Sequence, residues 1–202
     1  MVTEGVFDQT PPGKTTKVKK INLNICTLNA RSLSSEVKLI ELKAALQYIN
    51  HDILGLSEVR RLGEKIMEDD DYIMYYIGKT KGLNCVGFLV KKKYKENNKT
   101  FIGISERVCM LEIERENIPF AIIQAYAPTE SSSQEDIDNF YEDLAKAHDS
   151  ISTKYVRLSL WETLMHKLGY PKNMSILLQE YMVMGAGALE VRDSYNTHSN
   201  TT

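Results

Sequence analysis

The sequence predicts an α/β protein, and two patterns along the chain favour this class. Residues 21–57 are expected to form a strand, a helix and a second strand, the order of a β-α-β unit whose strands run parallel. Residues 72–126 are expected to form a series of short strands with only turn residues between them. The 202 residues can bury a substantial core, and a hydrophobic content of 43% is ordinary for a globular protein.

The β-α-β unit follows from the periodicity of the side chains. Apolar and polar residues alternate from Ile21 to Thr27, which indicates a strand, and Ser34 or Ser35 can cap the following helix. The apolar stripe of this helix comprises Leu39, Leu42, Leu46 and Ile49. Residues 53–56 form an apolar run that is too short for a helix and suits a strand covered on both faces.

The later strands are separated by turns rich in Gly, Asn and Lys. They are expected at residues 72–77, 85–90, 108–114 and 120–126. Glu116 and Asn117 suit the turn of a hairpin between the last two strands, since Asn tolerates a positive φ. A helix is predicted after the hairpin, with Ser132 and Glu135 placed as a capping box.

The chain is predicted to divide into four parts. Residues 1–19 are expected to be a flexible lead-in, residues 20–150 an α/β domain, residues 151–185 a helical segment and residues 186–202 a disordered tail. The helical segment is inferred from an apolar stripe that includes Trp161 and from a second stripe further along the chain.

Two polar side chains stand at the predicted ends of the parallel strands. Asn29 ends the first strand and Glu58 follows the second. Because parallel strands joined by a crossover helix end at the same edge of a sheet, we expect the two side chains to converge there. Carboxylate and amide oxygens suit a hard divalent cation that assists phosphate chemistry. Taken singly, Glu58 is also compatible with a solvated acid, and Asn29 with a turn former.

Composition limits the partners and the compartment. The formal net charge of −2 gives no general attraction to nucleic acid or membranes, and no segment has the apolar length of a membrane helix. Cys26, Cys85 and Cys109 are too few and too dispersed for a disulfide framework or a zinc site, and no secretory signal is recognisable. We therefore expect an intracellular protein, nuclear or cytoplasmic, without a membrane partner or a small-molecule cofactor. The sequence gives no oligomeric state.

Four motifs occur in order on these predicted elements. They are Leu28-Asn29-Ala30-Arg31-Ser32-Leu33, Leu56-Ser57-Glu58-Val59-Arg60, Gly87-Phe88-Leu89-Val90 and Gln124-Ala125-Tyr126-Ala127-Pro128-Thr129. With these motifs the chain resembles the endonuclease/exonuclease/phosphatase superfamily over about residues 20–148. Within that superfamily, the likeness is to the endonuclease domains of non-LTR retrotransposons and to the craniofacial-development-protein-2-like sequences derived from them.

The resemblance implies a partial four-layer α/β/β/α sandwich with an appended helical tail. It also implies Mg²⁺-dependent hydrolysis of DNA phosphodiesters, with Mn²⁺ as an alternative ion. In this scheme Glu58 is the metal ligand, Asn29 helps to place the metal or the attacking water, and Tyr126 contacts the scissile phosphate. Arg60 is implied as an auxiliary cation, with the neighbouring Arg61 as the alternative.

The chain departs from the family pattern after residue 150. The Gly-Asp-Phe-Asn and Ser-Asp-His segments of the family are absent, so the implied catalytic set is incomplete. Residues 154–184 resemble a short piece of a retroelement reverse transcriptase without its Asp-bearing motifs. Two functions are therefore expected as alternatives: a DNA endonuclease of reduced activity, and a non-catalytic remnant that binds nucleic acid or a partner protein.

Overall fold

Two β-sheets packed face to face organise the chain in the computed structural model, which describes residues 18–162 and 189–192. In chain order the elements are β1 Val18–Ile21, β2 Ile25–Asn29, α1 Glu36–Leu46, β3 Ile53–Ser57, β4 Gly63–Glu68, β5 Tyr72–Gly78, β6 Val86–Lys91, a 3₁₀ helix Lys92–Asn97, β7 Asn98–Gly103, β8 Val108–Arg115, β9 Ile118–Tyr126, α2 Gln134–Ser150, β10 Val156–Glu162 and β11 Leu189–Arg192. No helix among the described residues has the length and apolar character needed to cross a lipid bilayer.

The first sheet contains five strands in the order β2-β3-β6-β5-β4. As predicted, β2 and β3 run parallel and α1 connects them, so that Asn29 lies opposite Ser57. The remaining neighbours in this sheet are antiparallel. Ser35 caps α1, because its side chain accepts the backbone N–H of Lys38, and this decides between the two predicted caps.

The second sheet contains four strands in the order β10-β9-β8-β7. β8 and β9 form the predicted hairpin, which turns at Glu116 and Asn117 with φ angles of 52° and 64°. Positive φ at both central residues is what a tight hairpin turn requires. α2 follows β9 and leads to β10, which runs parallel to β9.

Three apolar clusters hold the layers together. The first fills the space between the two sheets and includes Phe88 and Phe120, both fully buried. The second joins the first sheet to Leu39 and Leu46 of α1, and the third joins the second sheet to Phe140 of α2. The layers therefore follow the order α1, first sheet, second sheet, α2, which confirms the predicted α/β/β/α fold class.

The structure differs from the prediction beyond α2. The expected helical segment begins instead with β10, because Leu158 and Leu160 alternate along a strand and are buried in the cluster between the sheets. Pairing with the free edge of β9 also satisfies the backbone groups of this segment. The rest of the predicted helical segment, residues 163–185, lies outside the described residues.

Two smaller predictions are also corrected. The capping box of α2 consists of Ser133 and Asp136, one residue later than the predicted Ser132 and Glu135. In the predicted disordered tail, Leu189–Arg192 form β11, which pairs antiparallel with β1. β1 itself starts inside the predicted lead-in. Pairing of backbone groups stabilises such a two-stranded contact without a strong side-chain pattern, so the sequence gives little indication of it.

Candidate active site

Three of the predicted site residues meet at one edge of the sandwich. Asn29 is the last residue of β2, Glu58 directly follows β3, and Tyr126 is the last residue of β9 in the opposite sheet. The Asn29 Nδ2 donates a hydrogen bond of 2.9 Å to Glu58 Oε1, and the Tyr126 hydroxyl donates one of 2.8 Å to the same oxygen. The expected convergence of Asn29 and Glu58 is therefore present, and Tyr126 joins it across the two sheets.

The fourth predicted residue, Arg60, contacts the other oxygen of the same carboxylate. Its Nη2 lies 2.7 Å from Glu58 Oε2. Arg61 instead donates to the backbone oxygen of Leu33 and forms an ion pair with Glu36. The structure thus selects Arg60 over Arg61 as the cation beside Glu58.

These contacts determine the charge states at the site. The hydrogen bond from Asn29 is the largest influence on the pKa of Glu58, and with the bonds from Tyr126 and Arg60 it lowers that pKa against the opposing effect of burial. Burial, together with the neighbouring Glu58 carboxylate, raises the pKa of Tyr126 to about 12. Near neutral pH the site therefore holds a carboxylate and a protonated phenol, which can donate a hydrogen bond but cannot act as a base.

The backbone around Glu58 is unusual. Glu58 and Arg60 have φ angles of 51° and 59°, and Asn84 and Cys85 on the adjacent loop have φ angles of 40° and 71°. Left-handed backbone costs a non-glycine residue on the order of 1 kcal/mol, and such residues concentrate at functional sites. The two stretches are joined by hydrogen bonds from Val59 N to Cys85 O and from Arg60 N to Asn84 O, of 3.0 and 3.2 Å.

Arg107 is a site residue that the sequence reasoning missed. Its guanidinium lies 5.3 Å from the centre of the Tyr126 ring, and its Nη1 is 3.4 Å from the Tyr126 carbonyl oxygen. The register of the predicted hairpin indicates its position. Val108 pairs with Ala125, so the preceding residue, Arg107, lies opposite Tyr126. Counting back from the predicted turn would have found this position.

The donor set near Glu58 is compatible with a divalent cation held mainly by water and phosphate. Among residues 18–162 and 189–192 no group of three or more His, Cys, Asp or Glu side chains could hold a metal ion. Mg²⁺ commonly needs only one or two carboxylates, and the Glu58 side chain is 17% exposed. Asn29 presents its nitrogen to Glu58 while its oxygen accepts the backbone N–H of Arg31. Its amide would have to rotate to offer an oxygen to a cation.

Comparison with solved structures identifies the fold class. A 3'-5' exonuclease (NExo) from Neisseria meningitidis has 17% sequence identity and a TM-score of 0.51, with 69% of this chain and 57% of that chain covered. The AP endonuclease LMAP from Leishmania major has 12% identity and a TM-score of 0.52, with 69% and 54% covered. The described residues therefore have the fold of the endonuclease/exonuclease/phosphatase proteins.

Comparison of sequences gives a more specific likeness. The craniofacial development protein 2 of Bos taurus and that of Tragulus javanicus are each 32% identical to this chain over 124 residues, or 59% of it. The match covers 20% and 21% of those proteins, so the chain spans about a fifth of the length of the curated relatives it matches. No protein-family model matches the chain.

Proposed function

We propose that this chain is a divalent-cation-dependent phosphodiesterase that acts on DNA. The observation that carries the proposal is the Glu58 carboxylate, which Asn29, Tyr126 and Arg60 hold at the shared edge of the two sheets. Support also comes from the fold, because solved structures with the same fold include an exonuclease and an AP endonuclease. One structure of the Neisseria protein is described as a 3' phosphatase bound to a product DNA hairpin.

Each side chain has a role in this proposal. Glu58 would hold Mg²⁺ or Mn²⁺, with Asn29 as a second ligand once its amide is rotated. The bound ion would polarise a phosphoryl oxygen and lower the pKa of a coordinated water. The protonated hydroxyl of Tyr126 can donate a hydrogen bond to the negative charge of the phosphodiester. Arg60 and Arg107 supply positive charge beside it, as phosphate recognition requires.

We propose that turnover is slow. Among the described residues, no histidine and no second carboxylate contacts Glu58, so this part of the chain supplies no such general acid or base beside it. Each such group contributes about 10²–10⁴ to a rate. The rate of this chain is therefore expected to lie well below that of a complete enzyme of the same fold.

One observation favours a non-catalytic alternative, in which the chain binds DNA without cutting it. Protein donors engage both oxygens of Glu58, and the Arg60 guanidinium occupies a position on Oε2 where a cation would otherwise bind. In this alternative Arg60 and Arg107 bind the DNA backbone and no cation enters.

Nicking of supercoiled DNA in the presence of Mg²⁺ or Mn²⁺ tests the proposal. We expect slow nicking by the wild type and background nicking by Glu58→Gln, which removes the charge of the ligand but keeps its shape. Glu114→Gln is the matched control. Glu114 is 43% exposed and lies near the end of β8 that is far from Arg107 and the site. Equal, background-level nicking by all three proteins would reject hydrolysis. Weaker DNA binding by Arg107→Ala, measured by fluorescence anisotropy, would then support the alternative.

A further inference from the structure

One turn of the second sheet is hydrogen-bonded to a loop of the first sheet through a single glutamate. Glu106 lies in the turn between β7 and β8, and its Oε2 accepts the backbone N–H groups of Lys79 and Thr80 at 3.2 and 2.9 Å. Its Oε1 accepts the Nδ2 of Asn84 at 2.6 Å, and its backbone oxygen accepts the N–H of Cys85 at 3.1 Å. Four hydrogen bonds thus converge on one residue.

The loop that Glu106 holds is in direct contact with the backbone that presents Glu58. The carbonyl oxygens of Cys85 and Asn84 accept the N–H groups of Val59 and Arg60. Asn84 and Cys85 lie outside any helix or strand and have the left-handed φ angles given above. Such residues persist only where their surroundings hold them, and the hydrogen bonds that Asn84 and Cys85 donate to Glu106 contribute to holding these two residues in place.

The same turn also contacts the other partner of the carboxylate. Arg107, the next residue, accepts the backbone N–H of Tyr126 at 2.8 Å and lies against its ring. The turn therefore contacts Tyr126 directly and reaches the backbone next to Glu58 through Asn84 and Cys85.

We propose that Glu106 is a positioning residue for Glu58. By fixing Asn84 and Cys85, it fixes the backbone that presents the Glu58 carboxylate to Asn29 and Tyr126. This role rests on the proposed function, in which Glu58 binds the cation. Glu106 would affect cation binding through the position of Glu58 and would not contact the cation itself.

The chemistry of the contact explains why a glutamate suits this position. Three N–H donors converge on the side chain, and an ionised carboxylate accepts with both oxygens. In Glu106→Gln one oxygen can still accept the two backbone N–H groups. The Asn84 amide can rotate so that its own oxygen accepts from the new amide, which restores the network. Glu106→Ala removes all the side-chain bonds.

The first test uses the metal-free protein, and its readout is the NMR signal of the Asn29 side-chain amide, which donates to Glu58. In Glu106→Ala this signal is expected to move towards its position in Glu58→Gln. Glu106→Gln and the control Glu114→Ala are expected to keep the wild-type position. A wild-type signal in a folded Glu106→Ala variant would overturn the proposal.

The second test is the affinity for Mn²⁺ by isothermal titration calorimetry. Residues that orient a ligand typically contribute a factor of 10–100, so Glu106→Ala is expected to bind about tenfold more weakly and Glu106→Gln nearly as well as the wild type. Absence of Mn²⁺ binding by the wild type would contradict the proposed function, while the Asn29 signal would still decide the role of Glu106.

Thermal unfolding monitored by circular dichroism shows whether each variant is folded. If Glu106→Ala does not fold, Asn84→Gly replaces it, because this variant removes one of the bonds, accepts the positive φ of 40° at this position and leaves Glu106 its backbone donors. A smaller displacement of the Asn29 signal in the same direction would support the proposal, and an unchanged signal would overturn it.

Discussion

The two carboxylates on either side of β3 are held in different ways. Asp52, before the strand, is 3% exposed and contacts the ammonium group of Lys93 at 2.8 Å. It also accepts the backbone and side-chain N–H groups of Asn24. Glu58, after the strand, accepts hydrogen bonds from an amide and a phenol and pairs with Arg60, and its side chain is 17% exposed, against 5% for the side chain of Asp52. We therefore expect Asp52 to stabilise the fold, whereas Glu58 remains accessible to a ligand.

Asp52→Asn is expected to destabilise the protein in a pH-dependent manner. Burial opposes ionisation of Asp52, but the bonds from Lys93 and Asn24 outweigh it and lower its pKa from 3.8 to about 2. A depressed pKa contributes stability that is present above the ordinary value and is lost as the pH falls through the folded value. At neutral pH this contribution is on the order of 2 kcal/mol.

Urea unfolding of the wild type and Asp52→Asn between neutral pH and about pH 2 measures this effect. The difference in free energy of unfolding should shrink as the pH falls from about 4 towards 2. Asp70→Asn is a suitable control, since Asp70 is exposed and lies near the same end of the sheet. A difference that stays constant over the whole range would contradict the explanation.

Strand ends made part of the candidate site predictable from sequence. Asn29, Glu58 and Tyr126 each lie at or just after the end of an apolar strand, and parallel pairing determines that β2 and β3 end together. Glu106 and Arg107 were missed because they lie in the turn between β7 and β8 and not at the end of a predicted strand. Their contacts depend on left-handed residues and on the register of a hairpin, which propensity alone does not specify.

At the level of elements, the two helices illustrate how boundaries are decided. The sequence places two consecutive serines before α1 and three before α2, and in each helix one of them is the N-cap by hydrogen bonding. In α2, the side chain of Ser133 accepts the N–H of Asp136 at 3.1 Å, and Asp136 in turn accepts the N–H of Ser133 at 3.3 Å. This reciprocal pair satisfies two donors that the first turn of a helix otherwise leaves free.

Ser133→Ala is expected to cost about 1 kcal/mol of stability, because it removes the side chain that caps α2. Ser132→Ala is the matched control and distinguishes the observed cap from the predicted one. Ser132 is hydrogen-bonded to the side chain and backbone of Thr129, which lies before the helix, so its replacement should cost clearly less. Thermal or urea unfolding compares the two variants, and an equal loss would contradict the observed cap.

The β10 strand shows why element prediction failed in the second half of the chain. Val156–Glu162 pairs with a strand that lies more than 30 residues earlier, so its conformation is determined by a distant partner. The edge strand β4 and the strand β7 likewise escaped prediction, since their side chains are mostly exposed or half-buried and lack a clear apolar alternation. Local periodicity detects strands well only when one face is buried.

For the molecule as a whole, the spacing of the two sheets depends on one glycine. A Cβ atom on Gly55 of β3 would lie 1.9 Å from Gln124 Oε1 and 2.8 Å from a methyl group of Leu160. Gln124 is fully buried in β9 and accepts a hydrogen bond from the Thr27 hydroxyl at 3.3 Å. A larger residue at position 55 would have to displace the side chains of Gln124 and Leu160 within the filled core or push the sheets apart.

Gly55→Ala is therefore expected to destabilise the protein by about 1–3 kcal/mol, the usual range for overpacking in a core. It should also weaken the contact between Glu58 and Tyr126, because each sheet supplies one partner. Urea unfolding gives the first quantity, and the Asn29 side-chain NMR signal reports on the second.

Gly82→Asn serves as the control. A side chain at Gly82 meets nothing within 4 Å, and Asn tolerates the positive φ of 77° at this position. A Gly55→Ala variant as stable as this control would show that the sheets are not in close contact at this point.

The pairing of β1 with β11 has a consequence for the architecture of larger proteins. Val18 lies opposite Arg192 in this antiparallel pair, so the first and the last strand of the described residues lie side by side. A unit whose two connections are adjacent can be inserted into a loop of a host protein without forcing the loop ends apart. A sandwich with adjacent connections can therefore lie in the middle of a longer polypeptide as well as at either end.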